Sequence, residues 1–315
     1  MKPIIVIGLA AAALVAVGIV VAEEMEGLSV KKPYDQSENK GRSGGGTPTI
    51  VYHQGAVMTG APVNVYVIYY GDYGASPTDT AAQGIIDTFF TDLSASGRKY
   101  TSYYTVNDTY TDSTNTTVAP TFSFQPNSGG VYIDNPPSQG THIGSKNMPA
   151  IIQHAINVGG LTADEHGVYF ILSAPSVRVS GFCSSFCAYH TSSSTIVSGT
   201  HIRYAVIPDP GNKCGGCDGN IVVYGQNVTP NSDQGADAMT DAIMHELSET
   251  VTDPDGAGWF TSGGAENGDL CNYTYGTPLS PGPGNGANAN VVMNGHYYLI
   301  QKIWTNATTP QKCAP

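Results

Sequence analysis

Charge is scarce in this chain of 315 residues. Asp, Glu, Lys and Arg together make up 12 % of it, and only 13 Lys and Arg face 25 Asp and Glu, a formal charge of −12. That argues against nucleic acid as a partner, because phosphate binding needs clustered cations. An anionic membrane surface is disfavoured for the same reason. No Gly-rich phosphate loop leads from a strand into a helix, and no Gly-x-Ser-x-Gly elbow occurs. Beyond the first 22 residues no apolar run approaches membrane-spanning length. What is abundant is Gly, Pro, Tyr and uncharged polar residues, with β-branched and aromatic runs that exclude disorder throughout. The composition reads as that of an exported protein, and the length allows one large domain or two small ones.

The N-terminus points the same way. Lys2 precedes an apolar run from Pro3 to Ala22, which ends in Val20-Val21-Ala22 before Glu23-Glu24. Residues 1–22 therefore read as a secretory signal, with an uncleaved membrane anchor as the alternative and the only route to a membrane. Residues 23–48 are polar, end in Ser43-Gly44-Gly45-Gly46, and read as a disordered stalk or pro-segment.

Six cysteines, Cys183, Cys187, Cys214, Cys217, Cys271 and Cys313, form an even set, which in an exported chain reads as disulfides. A rival reading joins Cys183-x-x-x-Cys187 and Cys214-x-x-Cys217 into a four-thiolate zinc knot. Spacing leaves connectivity open; pairing Cys271 with Cys313 to staple the C-terminus is preferred. Sequons stand at Asn107, Asn115, Asn227, Asn272 and Asn306, and bear glycans only if the source organism glycosylates.

Residues 49–315 read as one α+β domain with a mixed sheet and a zincin-like metal-site helix. Strands are expected at 49–57, 63–70, 100–110, 167–174, 202–207 and 221–224. Helices are expected at 78–93, 146–158 and 232–252, and residues 297–304 as a strand or short helix.

The third helix carries the chemistry. Asp237, Asp241, His245, Glu249 and Asp253 recur every fourth residue, on one helix face. His245 and Glu249 can point at one metal ion, and Glu246 can polarise a bound water, the logic of the His-Glu-x-x-His zinc helix. Glu266 offers a third ligand, and Asp269 can hydrogen-bond the far nitrogen of His245. The helix resembles that of thermolysin-type zincins at His245, Glu246, Leu247 and Asp253, with Glu249 in place of the second His. One His with two carboxylates still takes zinc first, with manganese or calcium as alternatives. Two plainer accounts compete. A polar stripe is usually the solvated face of an amphipathic helix, and Asp253, Asp255, Glu266 and Asp269 can hold a structural calcium.

From Tyr52 to Cys313 the chain is also similar to the EXORDIUM, or phosphate-induced protein, family. The resemblance rests on Tyr52-His53-Gln54-Gly55, Val63 to Gly71, Gly167 to Leu172, Gly181-Phe182-Cys183 to His190 and Cys214-Gly215-Gly216-Cys217. It continues with His245-Glu246-Leu247 to Pro254, Gly258-Trp259, Glu266 to Cys271, Val291 to Gly295 and Leu299 to Trp304. It implies a secreted, extracellular or cell-wall protein, whose plant relatives are tied to growth and cell expansion, and it brings no accepted biochemical activity. It also implies that a Glu at the position of Glu249 is normal for the family, and that Asp253 is often replaced by Asn. Asp253 and His190, with Asp269, are expected to support the ligands from outside; His190 would face the metal helix or bind the transition state, with a hydrogen-bonded loop histidine as the rival reading, and His53 is a minor candidate.

Two functions follow. In one, His245, Glu249 and Glu266 hold a divalent metal and Glu246 serves hydrolysis of an extracellular peptide or other polymer. In the other, the chain is a non-catalytic extracellular or wall factor with a structural metal site.

Overall fold

The computed structural model describes residues 49–60, 62–74, 77–95, 105–118, 121–211, 213–307 and 312–314. The signal or anchor, the stalk, and the first half of the strand expected at 100–110 lie outside the described residues.

A run as nearly apolar as Gly167–Ser173 must be covered on both faces, and every residue of that strand is buried. It lies inside a six-stranded mixed sheet formed by β1 (Val63–Tyr70), β2 (Phe122–Phe124), β3 (Val131–Asp134), β4 (Gly167–Ser173), β5 (Tyr189–Val197) and β6 (Thr200–Pro208). β2 and β3 pair in succession with one side of β1, and the sheet continues β1–β4–β6–β5. All pairs are parallel except β5 with β6.

Register then decides what each face carries. Val67, Phe170, Ala205 and His190 stand in one row across β1, β4, β6 and β5. The next row, Ile68, Ile171, Val206 and Tyr189, faces the other way. Helix α2 (Met148–Asn157) covers the second face with Ile151, Ile152 and Ala155. Helices α1 (Pro77–Ala95) and α4 (Gln234–Thr252) cover the first with Phe89, Phe90, Met239, Ile243 and Leu247. A short helix, α3 (Gly219–Tyr224), precedes α4.

Helix α4 is buried from Gly235 to Thr252. One side packs on the sheet; the other meets residues of the C-terminal segment, among them Asn267, Asp269, Tyr275 and Gln301. Its polar stripe is therefore not a solvated face: Asp237 and Asp241 are 6 % and 4 % exposed, and His245 and Glu249 are wholly buried.

Three bridges join Cys183 to Cys214, Cys187 to Cys217 and Cys271 to Cys313. No described cysteine is free, which removes the four-thiolate knot. No helix among the described residues is long and apolar enough to cross a membrane. Asn107 is buried and its side chain accepts from Asn267, so that sequon is closed to a glycan.

Two expected strands are helical. Residues 221–224 belong to α3, because the Asp218 carboxylate accepts from the N–H groups of Asn220 and Ile221 and Gly225 closes the turn with φ +65°. Val106–Thr109 forms a 3-10 turn. Strand β5, conversely, hides behind a polar Thr-Ser run.

Candidate metal centre

Two elements bring the imidazoles together. Helix α4 places His245 one turn before Glu249, with Nε2 3.0 Å from Glu249 Oε1. Strand β5 is turned by its register so that His190 faces α4. Its Nε2 lies 2.9 Å from Glu266 Oε2 and 3.8 Å from Glu249 Oε2.

The loop Glu266–Cys271 completes the cluster. The N–H of Asp269 donates to Glu249 Oε1, that of Glu266 to Asp269 Oδ2, and the Gln301 amide to the Gly268 carbonyl. Asp269 Oδ1 then stands 3.7 Å from His245 Nε2. Gly268 leaves the space that the carboxylate needs: a Cβ there would lie 2.8 Å from Glu249 Oε1 and 3.1 Å from the His245 ring.

The result is two triads that share Glu249, namely His190–Glu249–Glu266 and His245–Glu249–Asp269, each with its ligand atoms within 4.8 Å of one another. His245, Glu246, Glu249 and Glu266 are wholly buried and His190 is 7 % exposed. Neither ring nitrogen of His245, nor His190 Nδ1, nor Glu249 Oε2 has a hydrogen-bond partner. The 3.0 Å approach of His245 to Glu249 is thus an ion-pair distance without hydrogen-bond alignment.

Electrostatics split the two imidazoles. Burial disfavours the imidazolium at His245, but the carboxylates of Glu249, Glu246 and Asp269 outweigh it and push its pKa up to about 10. At His190 burial prevails over the pull of Glu249, and the pKa falls to about 4. Burial would raise the Glu249 carboxyl, yet the two histidines hold it below the usual carboxylate range.

The expected residues fall into place unevenly. His245 and Glu249 meet as their spacing predicts. Glu266 enters beside His190, whose central position the sequence left open. Asp269 stands near Nε2 of His245, the nitrogen that faces Glu249, and not at the far Nδ1. Asp253 belongs to neither triad; it accepts from the N–H groups of Ala257 and Gly258 and ends the helix. Glu246 lies within electrostatic reach of both His245 and Tyr189. His53 is exposed, stacks on Phe260 and takes no part. Gln301, which fixes both Gly268 and Asp241, is not among the candidate site residues, although it lies in the matching stretch Leu299 to Trp304. A cleft of about 670 Å³ opens beyond the C-terminal ends of β4 and β6, and none of the cluster residues lines it.

With this geometry in hand, known proteins supply the family. The chain is 26 % identical over 283 residues to Protein EXORDIUM-like 5 of Arabidopsis thaliana, covering 80 % of this chain and 74 % of that one. It is 26 % identical over 291 residues to Protein EXORDIUM-like 3 of the same plant, covering 82 % and 81 %. To Protein PHOSPHATE-INDUCED 1 of Nicotiana tabacum it is 25 % identical over 286 residues, covering 82 % and 86 %. No solved structure matches it significantly. The phosphate-induced protein 1 conserved region matches residues 50–314, and the chain therefore belongs to the EXORDIUM-like, phosphate-induced protein family.

Proposed function

We propose that this is an extracellular protein organised around one buried divalent cation, with His190, His245, Glu249 and Glu266 as ligands and Asp269 at the margin. One observation carries the reading. Two imidazole Nε2 atoms converge on the same wholly buried carboxylate, with ring nitrogens and Glu249 Oε2 lacking hydrogen-bond partners. Buried polar atoms are ordinarily satisfied, and a cation among them satisfies nitrogen lone pairs and carboxylate oxygens at once. Two imidazoles with two or three carboxylates suit zinc first and manganese second; calcium prefers oxygen ligands alone. The family and the three disulfides support an extracellular setting, and the 1–22 segment supplies the export signal.

A second reading, metal-dependent hydrolysis of an extracellular peptide, amide or ester, is favoured by Glu246. A bound divalent ion supplies Lewis acidity. Glu246, wholly buried, next to His245 in sequence and within its electrostatic reach, is the residue this reading assigns to take a proton and return it to a leaving group. Burial of the whole cluster weighs on the other side, with a structural centre in a wall or extracellular factor.

Elemental analysis of the purified protein tests the first reading. About one divalent ion per chain is expected, lost in His245→Ala and in His190→Ala. Unchanged metal in His245→Ala would remove the ligand assignment. Glu246→Gln should keep the metal, so a chelator-sensitive hydrolytic activity that vanishes in this variant supports catalysis. Metal without activity across a broad peptide and ester screen leaves the structural role.

A further inference from the structure

One and two turns before His245, α4 presents a second set of buried acids. Asp237 and Asp241 face Asp218, the residue that caps α3; the three are 6 %, 4 % and 2 % exposed. Between them lies a cavity of about 10 Å³, also lined by Asn220, Thr229 and Tyr275. That is room for one water-sized sphere. Gly219 lets Tyr275 reach it, since a Cβ there would overlap the phenol oxygen.

The hydrogen bonds around this cavity leave acceptors over. Asp218 Oδ1 takes the N–H groups of Asn220 and Ile221. Asp237 takes the N–H and amide of Asn231, and Asp241 takes the Gln301 N–H and the Tyr275 hydroxyl. The Asn220 amide nitrogen is committed to the carbonyls of Gln226 and Val228. Asn220 Oδ1, on a side chain 2 % exposed, has no hydrogen-bond partner, and Asp218 Oδ2, equally buried, has the Gln234 side chain near it but no aligned hydrogen bond. Thr229 Oγ1 borders the same space beside Asp237.

The charge is equally one-sided. Burial pushes Asp237 and Asp241 up to about 6 and Asp218 above the usual range, and the hydrogen bonds to them offset this only in part. Buried carboxylates without a cation are costly.

We infer that this cavity binds one hard cation of the calcium class. Asp218 Oδ2, Asn220 Oδ1 and the Thr229 hydroxyl are its direct ligands, and Asp237 and Asp241 supply negative charge from the wall. A carboxylate, an amide carbonyl and a hydroxyl are oxygen donors of the kind calcium takes, and extracellular calcium sites of about 10⁻⁴–10⁻³ M affinity are adequate for their setting. No imidazole lines this cavity, which separates it from the His190–His245 centre.

The test uses the full chain, stripped of metal and then saturated with zinc to fill the histidine centre. Calcium is added to about 10 mM, and binding is read by equilibrium dialysis with radioactive calcium and by the melting temperature. The wild type should bind about one calcium and melt higher. Asp218→Asn keeps an N-cap acceptor but removes the charge, and should weaken calcium binding at least tenfold. Thr229→Val removes one donor without touching the cap and should weaken it several-fold; it decides the matter if Asp218→Asn fails to fold. Glu249→Gln should bind calcium as the wild type does while losing zinc. Absence of calcium binding to the folded wild type overturns the inference, as does binding that neither cavity variant alters. Calcium lost in Glu249→Gln alone would assign the ion to the histidine centre.

Discussion

Breaking the Cys271–Cys313 bridge should separate its contribution to the fold from its contribution to the site. The bridge closes a segment with a sequence separation of 42. Chain entropy makes such a closure worth about 4 kcal/mol, from a constant of roughly 0.6 kcal/mol and about 3.3 kcal/mol for the loop. With about 2.1 cal/mol/K of unfolding entropy per residue over a domain of about 267 residues, the melting temperature should drop by about 7 °C. The Cys183–Cys214 bridge spans a separation of 31, but Cys187–Cys217 already closes nearly the same segment, so it adds only about 2.5 kcal/mol, and stability alone does not cleanly distinguish the two. The site does. Cys271 ends the loop that carries Glu266 and Asp269, and Cys313 holds it to a strand pair with Trp304 opposite. Paired Cys→Ala variants of each bridge are compared by denaturant unfolding without metal and by zinc competition with a chromogenic chelator. Loss of 271–313 should weaken zinc at least tenfold, and loss of 183–214 several-fold at most. A stability cost below about 1 kcal/mol, or equal effects of the two bridges on zinc, would refute this account.

Gly268→Ala should lower zinc affinity at least tenfold while the protein stays folded, because the backbone at Gly268 (φ −72°) accepts any residue and only the crowding of Glu249 and His245 changes; wild-type affinity would show that the carboxylate has room to move. Asp92→Ala should cost about 2–3 kcal/mol in denaturant unfolding, since Asp92 is 3 % exposed, accepts from Asn294, His296 and Tyr298, and leaves the buried Tyr298 hydroxyl without its acceptor; a change under 0.5 kcal/mol would contradict it. In calcium-free protein, Asp237 titrates near 6 when folded and about 3.9 when unfolded, so the folded state holds the extra proton between those values. Stability should therefore fall as pH rises from about 4 to about 6, by up to about 3 kcal/mol from this residue, and Asp237→Asn should flatten that slope; parallel stability-versus-pH curves for the two proteins would remove Asp237 from the account.

What was legible in the sequence followed from periodicity and punctuation. β1 appears at Val63–Tyr70, where its β-branched and aromatic run and the turn-forming residues that precede it lead one to expect it. Helix α4 ends before Pro254, and its i, i+4 spacing joined His245 to Glu249. His190 reads from the sequence only as a neighbour of the ligands and not as one of them, because its direction depends on the pairing of β5 with β6, and the polar run Thr191–Thr195 conceals β5. The run Ile221–Tyr224 suits a strand by composition, and the cap at Asp218 and the turn at Gly225 decided otherwise. The polar stripe on α4 suggested an outward face because nothing in its own sequence announces Tyr275 and Gln301, which reach it from far along the chain.

That distance bears on how the protein is made. Asp241 receives its backbone donor from Gln301, 60 residues later, and Glu249 receives one from Asp269, 20 residues later. A nascent chain emerging N-terminus first can assemble the sheet and lay α4 across it, but the helix then exposes a line of acids until the final segment arrives. Completion of the core thus waits for nearly the whole chain. A product truncated before residue 301 would keep most of its secondary structure while displaying that unfinished surface.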